Sequence, residues 1–129
     1  GFGQDFDDYF AHAHEQLLTI IQIETAEAVD CIDDLAAVDG VDVLFIGPLD
    51  LSVNLGIPQQ FDNPRFLEAR SKVSEAARKA GKAAGILLLS PDQVADTVEA
   101  GFTFVALGSD GGLVAAGMKQ LASAFDTYK

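Results

Sequence analysis

Tryptophan is absent, and cysteine and methionine occur once each, as Cys31 and Met118. A lone cysteine forms no internal disulfide, so the fold has no covalent staple, and a reducing, cytoplasmic setting is expected. Basic residues are scarce: Lys and Arg total 8 against 20 Asp and Glu, for a formal net charge of -12. Such a chain lacks the electrostatic footprint of a nucleic-acid binder and has little attraction for an anionic membrane surface. No apolar run approaches bilayer-spanning length, and no basic segment precedes an apolar one as in a secretory leader. Phosphate-cradling G-x-G-x-x-G and P-loop patterns are also missing. With its only methionine at position 118, the chain opens on Gly1-Phe2-Gly3, so a processed, trimmed or longer product is expected.

What is present is apolar and periodic. Hydrophobic residues make up 49% of 129 positions, enough for one domain with a core. Residues 1–8 read as a loop, and Tyr9 to Gln16 as the end of a helix. Leu17 to Ile23 is a nearly continuous apolar, β-branched run, as buried parallel strands show. Ala26 to Ala37 reads as a helix capped by Thr25, with Glu27 in its first turn. Gly40 suits the turn into a second strand, Val43 to Ile46, which Gly47-Pro48 ends. Leu51 to Pro64 reads as irregular, long for such a connection and therefore a candidate functional loop. A helix from Arg65 to Ala80 closes on Gly81, and Ala84 to Leu89 is the third strand. Ser90-Pro91-Asp92 opens the next helix, which ends at Gly101. Phe102 to Leu107 is the fourth strand, with Phe102 and Phe104 as alternating core positions. A tight turn from Gly108 to Gly112 leads into a last helix reaching about Tyr128. Strands alternating with helices mean a parallel α/β sheet. Four such units are half of an eight-fold barrel, which needs roughly 250 residues. An open doubly wound sheet is the other arrangement.

Two carboxylates, Glu24 and Asp50, each follow one of the first two strands. In parallel α/β folds the carboxyl ends of the strands form the edge where chemistry is built. A strand, a crossover helix and a second strand place the two strands side by side, about 4.8 Å apart when paired. Two oxygen donors on one rim suit a hard divalent cation.

Gln22-Ile23-Glu24-Thr25-Ala26-Glu27-Ala28, followed by Val41-Asp42-Val43-Leu44-Phe45-Ile46-Gly47-Pro48-Leu49-Asp50-Leu51-Ser52, resembles the HpcH/HpaI aldolase and citrate lyase family. Ala80-Gly81-Lys82 before Gly85-Ile86-Leu87, and Phe104-Val105-Ala106-Leu107-Gly108, extend the likeness from about Leu17 to the end. The opening Gly1-Phe2-Gly3 and the run Leu17 to Ile21 are similar to fungal-type members. The resemblance implies a (β/α)₈ TIM barrel of which this chain supplies strands five to eight, a partial domain over 1–129. It implies Mg²⁺, or Mn²⁺ or Co²⁺, on Glu24 and Asp50. It implies pyruvate-type 2-oxo acids as substrates, with carbon–carbon bonds cleaved or formed through a metal-bound enolate, and oxaloacetate decarboxylated. Backbone N–H groups of Leu49 and Asp50 would hold the substrate carboxylate, and Gln22 would stand beside it.

The family's catalytic arginine and histidine base come from the other half of the barrel. Arg65, Arg70 and Arg78 all fall in one expected helix, and none matches that arginine. His12 and His14 precede the first strand, two apart on a helix and so on different faces, and read as surface histidines. Four strands alone leave open edges and a bare apolar inner face, which predicts a homo-oligomer or a complementary N-terminal half. The bland readings are a helix-terminal acid for Glu24 and a cap or turn residue for Asp50. Gly108-Ser109-Asp110-Gly111-Gly112 reads as a glycine-rich turn rather than a phosphate cradle, and Cys31 as a buried thiol. Asp33-Asp34, Asp39 and Asp42 read as solvated ends. A non-catalytic half-barrel acting as an assembly module is the alternative function, and an open-sheet nucleotide-binding domain a more distant one.

Overall fold

The computed structural model describes residues 3–128; the Gly1-Phe2 part of the opening motif lies outside them. Helix α1 (Phe6–Gln16) precedes strand β1 (Ile20–Ile23). Helices α2 (Ala26–Asp30) and α3 (Ile32–Ala36) lead to β2 (Val43–Ile46). Helices α4 (Pro48–Asn54) and α5 (Pro64–Lys79) lead to β3 (Ala83–Leu88). A single 3₁₀ turn (Pro91–Gln93), α6 (Val94–Glu99), β4 (Phe104–Leu107) and α7 (Asp110–Ser123) follow, with a last 3₁₀ turn at Asp126–Tyr128.

The sheet is parallel, with strands in the order β1-β2-β3-β4. Doubly wound sheets reverse their strand order at a switch point. Consecutive order without reversal is the winding of a barrel wall. One face is packed by helices: Ile23, Leu44, Ile46, Ala84, Ile86 and Leu88 meet Phe66, Ala69, Val73 and Ala77 of α5 in one cluster. Those α5 positions recur at helical spacing, which is why this helix lies flat on the sheet. The opposite face carries the register row Gln22, Phe45, Gly85 and Phe104. The rings of Phe45 and Phe104 meet edge to face at 6.0 Å across Gly85, where a Cβ would stand 2.6 Å from the Phe45 ring.

Several expectations are corrected. Strand β1 begins at Ile20, because Leu17 and Leu18 are 58% and 57% exposed and find no covering layer. Residues Phe6 to Asp8, expected as loop, are the first turn of α1. The single helix expected from Ala26 to Ala37 is broken at Cys31, which caps α2 and starts α3. Val29 to Asp34 are all weak helix formers, so little resists the break. The stretch from Leu51 is not irregular throughout: α4 starts with Pro48 at its first position and ends at Asn54, with Leu55 as its cap. Gly56 follows at φ 73°, with the Ile57 N–H bonded to the Ser52 carbonyl at 2.9 Å. That left-handed closure is open to glycine at no steric cost. Strand β3 ends at Leu88, leaving Leu89 outside, and β4 starts only at Phe104. Phe102 is a core residue ahead of the strand, whereas Phe104 is half-buried on the opposite face. Asp42, read as a solvated end, accepts the Thr19 N–H at 2.7 Å and ties the starts of β1 and β2. The last helix stops at Ser123.

Candidate functional site

Glu24 follows β1 directly. Because side chains alternate along a strand, it shares the inner face with Gln22, while Ile23 between them is buried on the helix side. In register it stands opposite Gly47, one step beyond the Ile23–Ile46 pair. Its carboxylate lies directly over that glycine: a Cβ on Gly47 would sit 2.3 Å from Glu24 Oε1 and 2.9 Å from Cδ. Only a residue without a side chain leaves room for the acid to reach across the end of β2. Sequence reasoning took Gly47 as a strand terminator and missed this cradle. A Gly-Pro pair directly after a strand, opposite an acid, is the signal that was available.

Gly47 is also where α4 begins. Pro48 is buried and has no N–H to satisfy, and Leu49 and Asp50 complete an exposed first turn. The chain thus carries Asp50 three residues beyond the glycine that Glu24 covers. The bland reading of Asp50 is met in part, since it does stand in a helix's first turn. For Glu24 the first-turn acid of α2 is instead Glu27, with the Thr25 hydroxyl accepting the Ala28 N–H at 3.1 Å. The turn after Asp50 is rigid. Ser52, fully buried, donates to the Leu49 carbonyl at 2.7 Å and accepts the Gln59 N–H at 3.0 Å.

Glu24 and Asp50 offer oxygen donors only, the type a hard cation takes. Among the described residues no group of three or more His, Cys, Asp or Glu side chains is gathered for a metal. Two carboxylates without nitrogen or sulfur donors match Mg²⁺, which keeps several waters and takes one or two carboxylates plus substrate oxygens. The Glu24 carboxylate lies over Gly47, the residue before α4, and Asp50 stands in that helix's first turn.

The other singled-out residues lie elsewhere. His12 and His14 are exposed on α1; His12 Nδ1 stands 2.9 Å from the Asp8 carbonyl oxygen. Arg65 and Arg78 are exposed on α5. Arg70 points into the helix layer, where Nη2 donates to Thr97 Oγ1 at 3.0 Å and the guanidinium lies 5.3 Å from the Phe102 ring centre. Burial lowers its pKa from the usual arginine value, and Asp96 opposes that shift. A cavity of about 120 Å³ beside it, lined by Pro48, Phe61, Phe66, Leu88 and Thr97, includes neither carboxylate. Cys31 is half-buried, with its Sγ 3.7 Å from the Ala28 carbonyl. In the Gly108–Gly112 turn, Ser109 Oγ accepts the Gly112 N–H at 3.1 Å and Asp110 Oδ1 the Gly111 N–H at 2.7 Å. The turn's own side chains therefore take donors that a phosphate would need.

Residues 3–116 match the HpcH/HpaI aldolase/citrate lyase family. A 2-keto-3-deoxy-L-rhamnonate aldolase of Escherichia coli (strain K12) is 34% identical over 123 residues, covering 95% of this chain and 46% of that protein. An HpcH/HpaI aldolase/citrate lyase family protein from Burkholderia cenocepacia J2315 has a TM-score of 0.82 at 32% identity, covering 91% of this chain and 46% of the other. Macrophomate synthase is a further structural neighbour, with a TM-score of 0.74 at 26% identity, covering 98% and 45%. The chain spans about half the length of the curated relatives it matches. Its four strand–helix units are the C-terminal half of their TIM-barrel-like fold. The chain belongs to the HpcH/HpaI aldolase/citrate lyase family.

Proposed function

We propose that this chain is the metal-binding half of a divalent-metal-dependent carbon–carbon lyase acting on pyruvate-like 2-oxo acids. The observation that carries the reading is the Glu24 carboxylate lying over Gly47, at the start of the turn that bears Asp50. Family membership supports aldolase-type chemistry. Glu24 and Asp50 would hold Mg²⁺, or Mn²⁺ or Co²⁺. The ion's charge, when bound, stabilises the oxygen on which negative charge collects as a carbon–carbon bond breaks, worth several kcal/mol.

The chain's own groups do the rest of the positioning. Pro48 offers no N–H, so the first free donors of α4 are those of Leu49 and Asp50, which would orient the substrate carboxylate. Gln22 stands on the same inner face two residues before Glu24 and would contact the bound 2-oxo acid. The proton-transferring base and the cationic clamp would come from a complementary N-terminal half or another copy. The half-buried Phe45, Leu87 and Phe104 of the inner face and the exposed apolar residues of α1 and α7 support such a partner. The setting proposed is cytoplasmic; among the described residues no helix is long and apolar enough to cross a membrane.

The exposed apolar surface equally favours the second reading, a non-catalytic assembly module. Oxaloacetate decarboxylation with saturating Mg²⁺ separates the two. A rate above that of free metal, lost in Glu24→Ala, supports the lyase. A rate equal to free metal, in this chain and with its complementary half added, leaves the module.

A further inference from the structure

The two acids sit on segments that meet through one side chain. Asn54 is the last residue of α4, four after Asp50 and so on the same helix face one turn away. Its Oδ1 accepts the N–H of Ala26 at 2.8 Å. Ala26 is the first residue of α2, two after Glu24, and its N–H is one of the donors a helix start leaves unpaired. Thr25 takes the Ala28 N–H, so the corner after Glu24 is held from within by Thr25 and from across by Asn54. The α4 end of the tether is firm, with Leu51 and Ser52 fully buried and Ser52 bonded to both Leu49 and Gln59.

We infer that Asn54 is a positioning residue for the ion, setting the Glu24 corner against the helix that carries Asp50; the inference rests on the proposed metal site. Asn54 Oδ1 bonds the Ala26 N–H rather than a carboxylate, so its effect is carried by the backbone. Side chains bonded directly to metal ligands alter metal affinity by roughly 10–100-fold when removed; Asn54 acts one backbone step further out, at the low end of that range. Asn54 is exposed, so its replacement leaves the core intact.

The test is Mn²⁺ titration by calorimetry on the full chain, with thermal melting in parallel. Asn54→Leu keeps the bulk but has no acceptor, Asn54→Ala removes the acceptor without adding bulk, and Asn54→Asp keeps an acceptor. The expected result is a Mn²⁺ affinity about tenfold weaker in Asn54→Leu and Asn54→Ala, undiminished in Asn54→Asp, with melting midpoints close to the parent. Mn²⁺ binding at parental strength in the Leu and Ala variants overturns the inference alone. Equal weakening in Asn54→Asp also overturns it, since the acceptor would then be irrelevant. No Mn²⁺ binding by the parent chain overturns the metal reading and this inference together.

Discussion

The middle of the molecule and its two ends are built differently. From β1 to α6 the helices bury one sheet face, and Leu44, Ile46, Leu51 and Val73 are wholly enclosed. Helices α1 and α7 have no buried residue at all. On α7, Met118 and Leu121 are 66% and 71% exposed, and on α1 the rings of Phe6 and Phe10 stack on each other at 5.7 Å in the open. Apolar residues at the ends are as abundant as in the middle, so composition does not separate the regions; a covering layer does. The middle is self-sufficient on its outer face, while the ends present surface that a partner would cover.

Five substitutions break or sharpen that contrast. The largest effect is expected in the middle: Leu44→Ala leaves a cavity among β2, β3 and α5 and costs ~2–5 kcal/mol in urea unfolding. Leu121→Ala, a similar truncation on α7, should stay within ~0.5 kcal/mol in the dissociated chain. Next, Met118→Glu places a charge on the apolar face of α7. Size-exclusion chromatography should show larger species for the parent and a shift toward monomer for the variant. A parent that elutes as a clean, soluble monomer contradicts the claim that the ends seek a partner. Third, Gly47→Ala forces the Glu24 carboxylate aside, because the new methyl would sit 2.3 Å from its oxygen. Mn²⁺ affinity should fall about tenfold, or ~1.4 kcal/mol, with the circular dichroism spectrum unchanged. Last, Thr25→Ala removes the α2 cap and should cost ~1 kcal/mol of stability, read from the thermal midpoint.

Where a pattern reported burial against a layer the chain itself carries, the sequence was a good guide. Val43 to Ile46 and the helix from Arg65 were legible in the sequence, and Gly81 closes α5 as expected, with the Lys82 N–H on the Ala77 carbonyl at 2.8 Å. Leu17 and Leu18 misled because an apolar run announces a strand whether or not anything covers it. Helix α4 was missed although proline at its first position and glycine after its cap are ordinary boundary marks; at seven residues it shows too little periodicity to stand out. The places of Glu24 and Asp50 after β1 and β2 were legible because strand ends can be counted. The Gly47 cradle needed the β1–β2 register, and the Asn54 tether joins residues 28 apart, which no local pattern records.

The account stands on one cation shared by Glu24 and Asp50. Calorimetric titration of the chain with Mn²⁺, in the presence of oxalate as a stand-in for the 2-oxo acid, tests it most directly. One binding event in the parent, abolished in both Glu24→Ala and Asp50→Ala, is the predicted result. An isotherm unchanged in both variants would contradict it.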